Sequence, residues 1–194
     1  MQRIRIKYKK DLPFIGHLDM VRLWERALRR TDLACAYSEG FNPRQKMSFG
    51  PPLPLGFTSE CEFLDIYFER WMNPEAVKDA LNKTLPRGIE IIEAKNVFSA
   101  RASLTAEIKT AVYSTVTSQD LSGKIYEILD SKEIIVKRKE KDINIRPMIK
   151  DLRQTGNNIF IAVQCDNFGT LKGSEIRGLF NISALGPTRR VELY

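Results

Sequence analysis

The order in which strand and helix patterns follow one another constrains the fold of this 194-residue chain more than any other feature. The stretch RIRIKY at residues 3–8 alternates cationic and apolar side chains, which predicts a strand with one buried face. Residues 16–30 then predict an amphipathic helix. The apolar positions of this helix recur three or four residues apart, at His17, Val21, Trp24 and Leu28.

Four further elements follow in the N-terminal part. Residues 46–49 predict a short extended segment, and CEFLDIYFE at residues 61–69 alternates again, with Leu64, Ile66 and Phe68 on one face. Asn73 as N-cap and Pro74 at the first helical position predict the start of a second helix. IEIIEA at residues 89–94 closes the half as a strand, so the order β-α-β-β-α-β predicts the ferredoxin-like plan.

The C-terminal part repeats this order less clearly. The predicted elements are a strand at 104–117, a helix capped by Ser118, a strand in EIIVKRK (133–139), a possible hairpin extension at 143–152, a buried strand in IFIAV (159–163), a short helix capped by Ser174 and a last strand in RRVELY (189–194). The predicted fold class is therefore α+β, built as a tandem pair of ferredoxin-like halves. The halves are residues 1–99, which include a basic loop at 37–57, and residues 100–194.

Composition excludes several classes of protein. The chain is 43% hydrophobic and 28% charged, which is typical of a globular protein with a core. No apolar run approaches the roughly 20 residues that span a bilayer, and the first ten residues lack the apolar centre of a signal peptide. Three scattered cysteines do not form a disulfide framework and are expected to be buried and reduced. These features predict a cytoplasmic protein with no membrane partner.

Positive charge is concentrated near the N-terminus. The chain has a net charge of +7, and residues 1–50 contribute +6 of it, with 11 Lys and Arg against 5 Asp and Glu. Concentrated positive charge favours a polyanionic partner, most often nucleic acid. The basic segment includes most of YSEGFNPRQKMSFGPPLPLG (37–56), a loop with three glycines and four prolines. Its prolines fix φ, which indicates a preshaped surface.

The run from Gly16 to Ile66 resembles the radical-SAM-linked family of bacterial proteins, a domain without an established function. Weaker similarities are Ile145-Arg146-Pro147, Gly173-Ser174 and Thr188-Arg189-Arg190. The resemblance implies a companion to a radical-SAM-type protein in RNA metabolism. It assigns no catalytic residue. With one histidine and widely separated cysteines, the chain is predicted to bind neither metal nor cofactor itself.

The favoured hypothesis is a non-catalytic RNA-binding module that acts with this radical-SAM-type protein on tRNA or rRNA. Its cations would contact phosphates and its rings would stack on bases. The predicted phosphate-binding residues are Arg22, Arg26, Arg29, Arg44 and Lys46, and the predicted stacking residues are Tyr37, Phe41 and Tyr67. A related expectation is a free sheet face on which Arg3, Arg5 and Lys7 lie beside Phe63 and Tyr67.

Two alternatives remain open. Paired ferredoxin-like domains also resemble the CRISPR-RNA-processing endoribonucleases, in which an early histidine is the general base. By this alternative the chain is a metal-independent ribonuclease, in which His17 would remove a 2′-hydroxyl proton while Tyr8, Lys7 or Arg22 stabilised the phosphorane. The other alternative is a protein-interaction module in which the loop docks on the radical-SAM-type partner through Phe49 and Leu53.

Overall fold

A computed structural model describes residues 1–98, 103–166, 169–180 and 186–194. Both helices and strands occur, so the prediction of an α+β chain is confirmed. The predicted boundary between the halves, near residue 99, lies partly outside the described residues, and the division into 1–99 and 100–194 stays a prediction.

The N-terminal part follows the predicted order of elements. These are β1 (Gln2–Lys10), α1 (His17–Arg29), β2 (Met47–Phe49), β3 (Thr58–Phe68), α2 (Pro74–Asn82) and β4 (Ile89–Asn96). The Asn73 side chain accepts a hydrogen bond from the Glu75 backbone N–H at 3.0 Å, so the predicted N-cap of α2 is confirmed.

The C-terminal part contains more elements than predicted. They are α3 (Leu104–Glu107), β5 (Thr110–Val116), α4 (Ser122–Asp130), β6 (Ile135–Arg138), β7 (Lys141–Asn144), a 3₁₀ turn (Arg146–Met148), β8 (Ile149–Thr155), β9 (Asn158–Asp166), β10 (Gly169–Thr170), α5 (Gly173–Gly178) and β11 (Arg189–Leu193).

Three local predictions in this part were wrong. Residues 104–117 are not one strand, because Leu104 is fully buried as the first residue of the short helix α3. Ser118 does not cap α4; the Asp120 carboxylate accepts from the Ser122 backbone N–H at 2.9 Å instead. Ser174 lies inside α5, whose N-cap is Lys172.

Nine of the described strands form a single sheet. Its order is β10-β9-β5-β11-β3-β1-β4, with β2 also paired to β3 and β8 also paired to β9. All the pairings are antiparallel except the one between β11 and β3, where Arg189 and Arg190 lie beside Thr58 and Ser59. Because β11 also pairs with β5, the last strand of the chain joins the two halves. The strands β6 and β7 form a separate hairpin.

One hydrophobic core lies in the N-terminal half. Ile4 and Ile6 of β1 pack with Trp24 of α1 and Leu64 of β3, and all four are fully buried. Helix α2 adds Val77 and Leu81 to this core. Each such side chain stabilises the fold by about 1.5–3 kcal/mol when it leaves water, so α1 and α2 are held against the sheet.

A second core lies in the C-terminal half and extends into the N-terminal sequence. It contains the predicted buried positions Ile159, Ile161 and Val163 of β9, together with Ile176 of α5. Phe57, at the end of the loop, is buried in the same core. The two halves are therefore in direct contact beneath the loop. None of the described helices is long and apolar enough to cross a membrane.

Candidate nucleic-acid interface

Helix α1 presents a row of arginines to water because its other face is used for packing. The helix buries Met20, Leu23, Trp24, Ala27 and Leu28. The remaining positions include Arg22, Arg26, Arg29 and Arg30, all exposed. Like charges three or four residues apart repel one another by a few tenths of a kcal/mol per pair. The row is therefore mildly unfavourable in the free protein and would be relieved by anions.

The structure shows little neutralisation of this row. Arg22 approaches the Asp19 carboxylate at 3.4 Å, but both side chains are about two-thirds exposed. Such an exposed pair contributes only about 0–1 kcal/mol and is screened by salt. Arg26 and Arg29 lie in the last turn of α1, where cations interact favourably with the helix dipole.

The first part of the loop is a hairpin rather than an irregular segment. The Ser38 backbone N–H donates to the Arg44 carbonyl at 2.8 Å, and the Arg44 backbone N–H donates to Ser38 Oγ at 3.0 Å. Gly40 has a φ of +122° near the tip, a conformation that side chains disfavour. The predicted stacking residue Phe41 lies at this tip and is fully exposed.

A shallow pocket of about 260 Å³ brings three of the predicted residues together. It is lined by Arg29, Tyr37 and Arg44, with Glu25, Pro43 and Gln45 completing its walls. Glu25 Oε1 lies 3.6 Å from Arg44 Nη1, so one carboxylate faces two guanidinium groups. The pocket keeps an excess positive charge.

Two of the predicted residues lie on the other side of the hairpin. Lys46 Nζ is 5.3 Å from the centre of the Tyr67 ring, a cation–π contact. Tyr67 is the cross-strand partner of Arg3, so both side chains are on the same sheet face. Successive residues of an extended strand point to opposite faces, which separates Lys46 from the pocket that contains Gln45.

The sheet face beside Tyr67 is not the free cationic face that we expected. The Asp65 carboxylate is fully buried and accepts from Arg3 Nε at 2.6 Å and from Arg5 Nε at 2.8 Å. Glu107 of α3 lies 2.8 Å from Arg5 Nη2 and supplies a second negative charge. Phe63 packs against the C-terminal core. These arginines are neutralised and cannot form a phosphate-binding surface.

His17 does not occupy the position that the sequence predicted. It is the first residue of α1 and is exposed, so it does not belong to the buried face of the helix. Its ring contacts Phe49 edge-on, with 5.4 Å between the ring centres. His17 and Tyr8 line a common cavity of only about 20 Å³, enough for one water. Burial raises the pKa of Tyr8 far above its ordinary value, which makes Tyr8 a poor proton donor or acceptor at neutral pH.

The other proposed members of the catalytic set lie elsewhere. Lys7 precedes Tyr8 in β1 and points to the opposite sheet face, and Arg22 lies beside Asp19. Among the described residues, no three metal-binding side chains lie close enough together to hold an ion. Cys35, Cys61 and Cys165 are buried as expected, and burial raises the pKa of Cys35 and Cys61 to about 11.

A buried arginine that sequence analysis assigned no role fixes the second part of the loop. Arg190 Nη1 donates to the Pro51 carbonyl and to Glu62 Oε1, both at 2.9 Å. Arg190 Nη2 donates to the Pro52 carbonyl at 2.9 Å and to the Tyr113 hydroxyl at 2.7 Å. The only indication in the sequence is that two successive arginines of a strand cannot both face water.

Residues that were proposed for protein docking are also used internally. Phe49 packs against the N-terminal core and Leu53 against the C-terminal core. Exposed apolar side chains at this end of the molecule are Phe14, Leu18 and Leu55. The backbone N–H of Gly56 donates to the Pro13 carbonyl at 2.7 Å, which places the end of the loop beside the start of α1.

A protein-family model matches most of the chain. The model of a family described as "Uncharacterized protein conserved in bacteria (DUF2344)" matches residues 3–173, which include the arginine row, the whole loop and most of both cores. No curated protein matches the sequence. On the extent of the family match, the chain belongs to this conserved bacterial family.

Proposed function

We propose that this protein is a non-catalytic RNA-binding module that acts beside a radical-SAM-type protein in tRNA or rRNA metabolism. The observation that supports RNA binding best is the exposed arginine row of α1, which continues through Arg29 into the pocket with Tyr37 and Arg44. Phosphates would contact the row and release counterions, while an unpaired base would stack on Tyr37 or Phe41. The proposed partner rests on the resemblance of residues 16–66 to the radical-SAM-linked family.

We also infer that each half is a ferredoxin-like unit. The N-terminal strands lie in the order β4-β1-β3-β2. In the C-terminal half, the four strands β5, β8, β9 and β11 lie in the order β11-β5-β9-β8, and the short strand β10 and the β6–β7 hairpin are additions to this set. In both halves the first strand is therefore flanked by the third and the fourth, and the second lies beyond the third. This shared arrangement supports a duplicated unit whose sheets have joined through β11.

Salt-dependent binding tests the proposed function. The binding constant for single-stranded RNA would be measured over a range of salt concentrations for the wild type and for a triple variant, Arg22→Gln, Arg26→Gln and Arg29→Gln. The slope of log K against log salt should fall by about 0.7 for each lost phosphate contact, or by about 2 in all. All three side chains are exposed, so the variant should keep the wild-type circular dichroism spectrum.

A matched control removes the same charge elsewhere. Lys132, Lys137 and Lys141 are exposed residues in or next to the β6–β7 hairpin of the C-terminal half. Changing all three to Gln should leave the salt slope near its wild-type value. If the salt slope falls equally in both variants, binding depends only on net charge. If the salt slope of the arginine variant equals that of the wild type, α1 is not part of the RNA interface.

A further inference from the structure

A pocket lies where three neighbouring strands begin or end, and the proposed phosphate-binding residues do not line it. β3 and β4 end there on either side of the start of β1. The pocket has a volume of about 730 Å³, within the range of about 300–1,000 Å³ that is typical of small-molecule sites. We refer to it as the strand-end pocket.

Three aromatic side chains line the strand-end pocket. Trp71 is 70% exposed and Phe98 is 92% exposed, and the partly exposed ring of Tyr67 lies in the same pocket. Single exposed rings are common, but several exposed rings around one pocket form an apolar patch of the kind that marks ligand or partner sites. Three rings around one pocket offer π faces on which any nucleobase can stack.

Hydrogen bonds fix the strand ends that form these walls. Gln2 Nε2 donates to the Met72 carbonyl at 2.8 Å and to Asn96 Oδ1 at 2.6 Å. The Met72 backbone N–H donates back to Gln2 Oε1 at 2.6 Å. One side chain of β1 therefore ties the ends of β3 and β4 together, next to Trp71. A pocket whose walls are already ordered loses little conformational entropy when a ligand binds.

The polar groups of the pocket suit a nucleotide. Arg70 is an exposed cation on the wall, available for a phosphate, and Glu69 is an exposed acceptor suited to an exocyclic amino group. Among the described residues, none accepts a hydrogen bond from Asn96 Nδ2, which leaves this donor available to a base. Tyr67 also contacts Lys46, so the pocket adjoins this cation of the loop.

We propose that the strand-end pocket binds an unstacked nucleobase, with Trp71 and Phe98 as its stacking surfaces and Arg70 as its phosphate contact. The inference rests on the proposed RNA-binding function. A single RNA strand bound to the protein would pass Lys46 and reach this pocket. It adds a base-binding site on the side of the hairpin opposite the arginine row.

Tryptophan fluorescence reports on this pocket directly. The chain has two tryptophans, and the other, Trp24, is fully buried in the N-terminal core. Three probes would be titrated: an oligoadenylate, an abasic sugar–phosphate oligomer of equal length, and adenosine monophosphate. The oligoadenylate and the mononucleotide should quench the Trp71 emission in a saturable way, whereas the abasic oligomer should bind without quenching.

Binding by variants separates this pocket from the arginine row. Trp71→Ala should weaken oligoadenylate binding about 5- to 150-fold, the range for loss of one stacked base, without changing the salt slope. Phe98→Ala should act in the same direction. The control Tyr126→Ala removes an equally exposed ring from α4 and should have no effect.

The possible outcomes distinguish the two proposals. If oligoadenylate binds equally well to wild type and to Trp71→Ala without quenching, while the arginine variant flattens the salt slope, the pocket inference is wrong and the RNA-binding function stands. If adenosine monophosphate quenches Trp71 but no oligomer binds, the pocket binds nucleotides and the RNA-binding function is wrong. If no probe binds or quenches, both are overturned. If the Trp71 emission changes only when a protein partner is added, the pocket binds a protein and the nucleotide inference is wrong.

Discussion

Arg189 and Arg190 are neighbours in β11, and each pairs with a glutamate of β3 at 2.9 Å. The Arg190–Glu62 side chains are 1% and 7% exposed, whereas those of Arg189 and Glu60 are 50% and 49% exposed. The two pairs have the same ionic groups on neighbouring residues, but only Arg190 is buried, and only Arg190 also donates to the Pro51 and Pro52 carbonyls and to the Tyr113 hydroxyl. Burial decides what each pair contributes, because a carboxylate left without a partner is costly only when water cannot reach it.

Arg190→Met should therefore lower the free energy of unfolding by about 3–5 kcal/mol, because it leaves the Glu62 carboxylate buried and unpaired. Adding Glu62→Gln should recover part of that loss, since the amide carries no charge. Arg189→Met is the matched control and should change stability by less than about 0.5 kcal/mol. Urea denaturation measures all three variants. Equal effects of the two arginine substitutions would contradict a special role for Arg190.

At the scale of elements, helix α5 packs closely against the loop. A Cβ atom on Gly173, the first residue of α5, would lie 3.0 Å from Pro54 Cβ and 3.2 Å from Phe57 Cε1. Glycine at this position lets the helix approach the loop closely. In contrast, a Cβ atom on Gly123 of α4 would have no neighbouring atom within 4 Å.

These two glycines give opposite predictions for the same substitution. Gly173→Ala should destabilise the protein by about 1–3 kcal/mol, because the ring of Pro54 cannot move without displacing the loop. Gly123→Ala should stabilise it by about 0.5 kcal/mol, because alanine is the better helix former and no neighbour is displaced. Thermal unfolding of the two variants measures both changes. If both substitutions stabilise the protein, the loop does not pack closely against α5.

For the molecule as a whole, β11 connects the two halves, since it pairs with β5 on one side and β3 on the other. The two halves cannot separate without breaking the pairing of β11 with β3 or β5 and the contacts of Arg190. We expect urea unfolding to show one transition, with the tryptophan emission and the far-UV circular dichroism changing together. Removing residues 187–194 should abolish this shared transition. Two separate transitions in the full chain would mean that the halves unfold independently.

Elements with local sequence patterns were predictable from the amino-acid sequence. The alternation in β1, the buried face of β3, and the Asn73 cap of α2 depend on residues within a few positions of one another. The exposed arginines of α1 were predictable for the same reason. The short helix α3 was missed because four residues are too few to show a helical period.

Which charges remain available to a ligand depends on long-range contacts that form when the chain folds. Asp65 neutralises Arg3 across 62 positions of sequence, and Glu62 meets Arg190 across 128. The strand-end pocket likewise combines residues from three strands that are distant in the sequence. Periodicity gives the face on which a side chain lies, whereas the partner it meets there depends on strand order and on burial. Strand order and burial are properties of the folded chain as a whole.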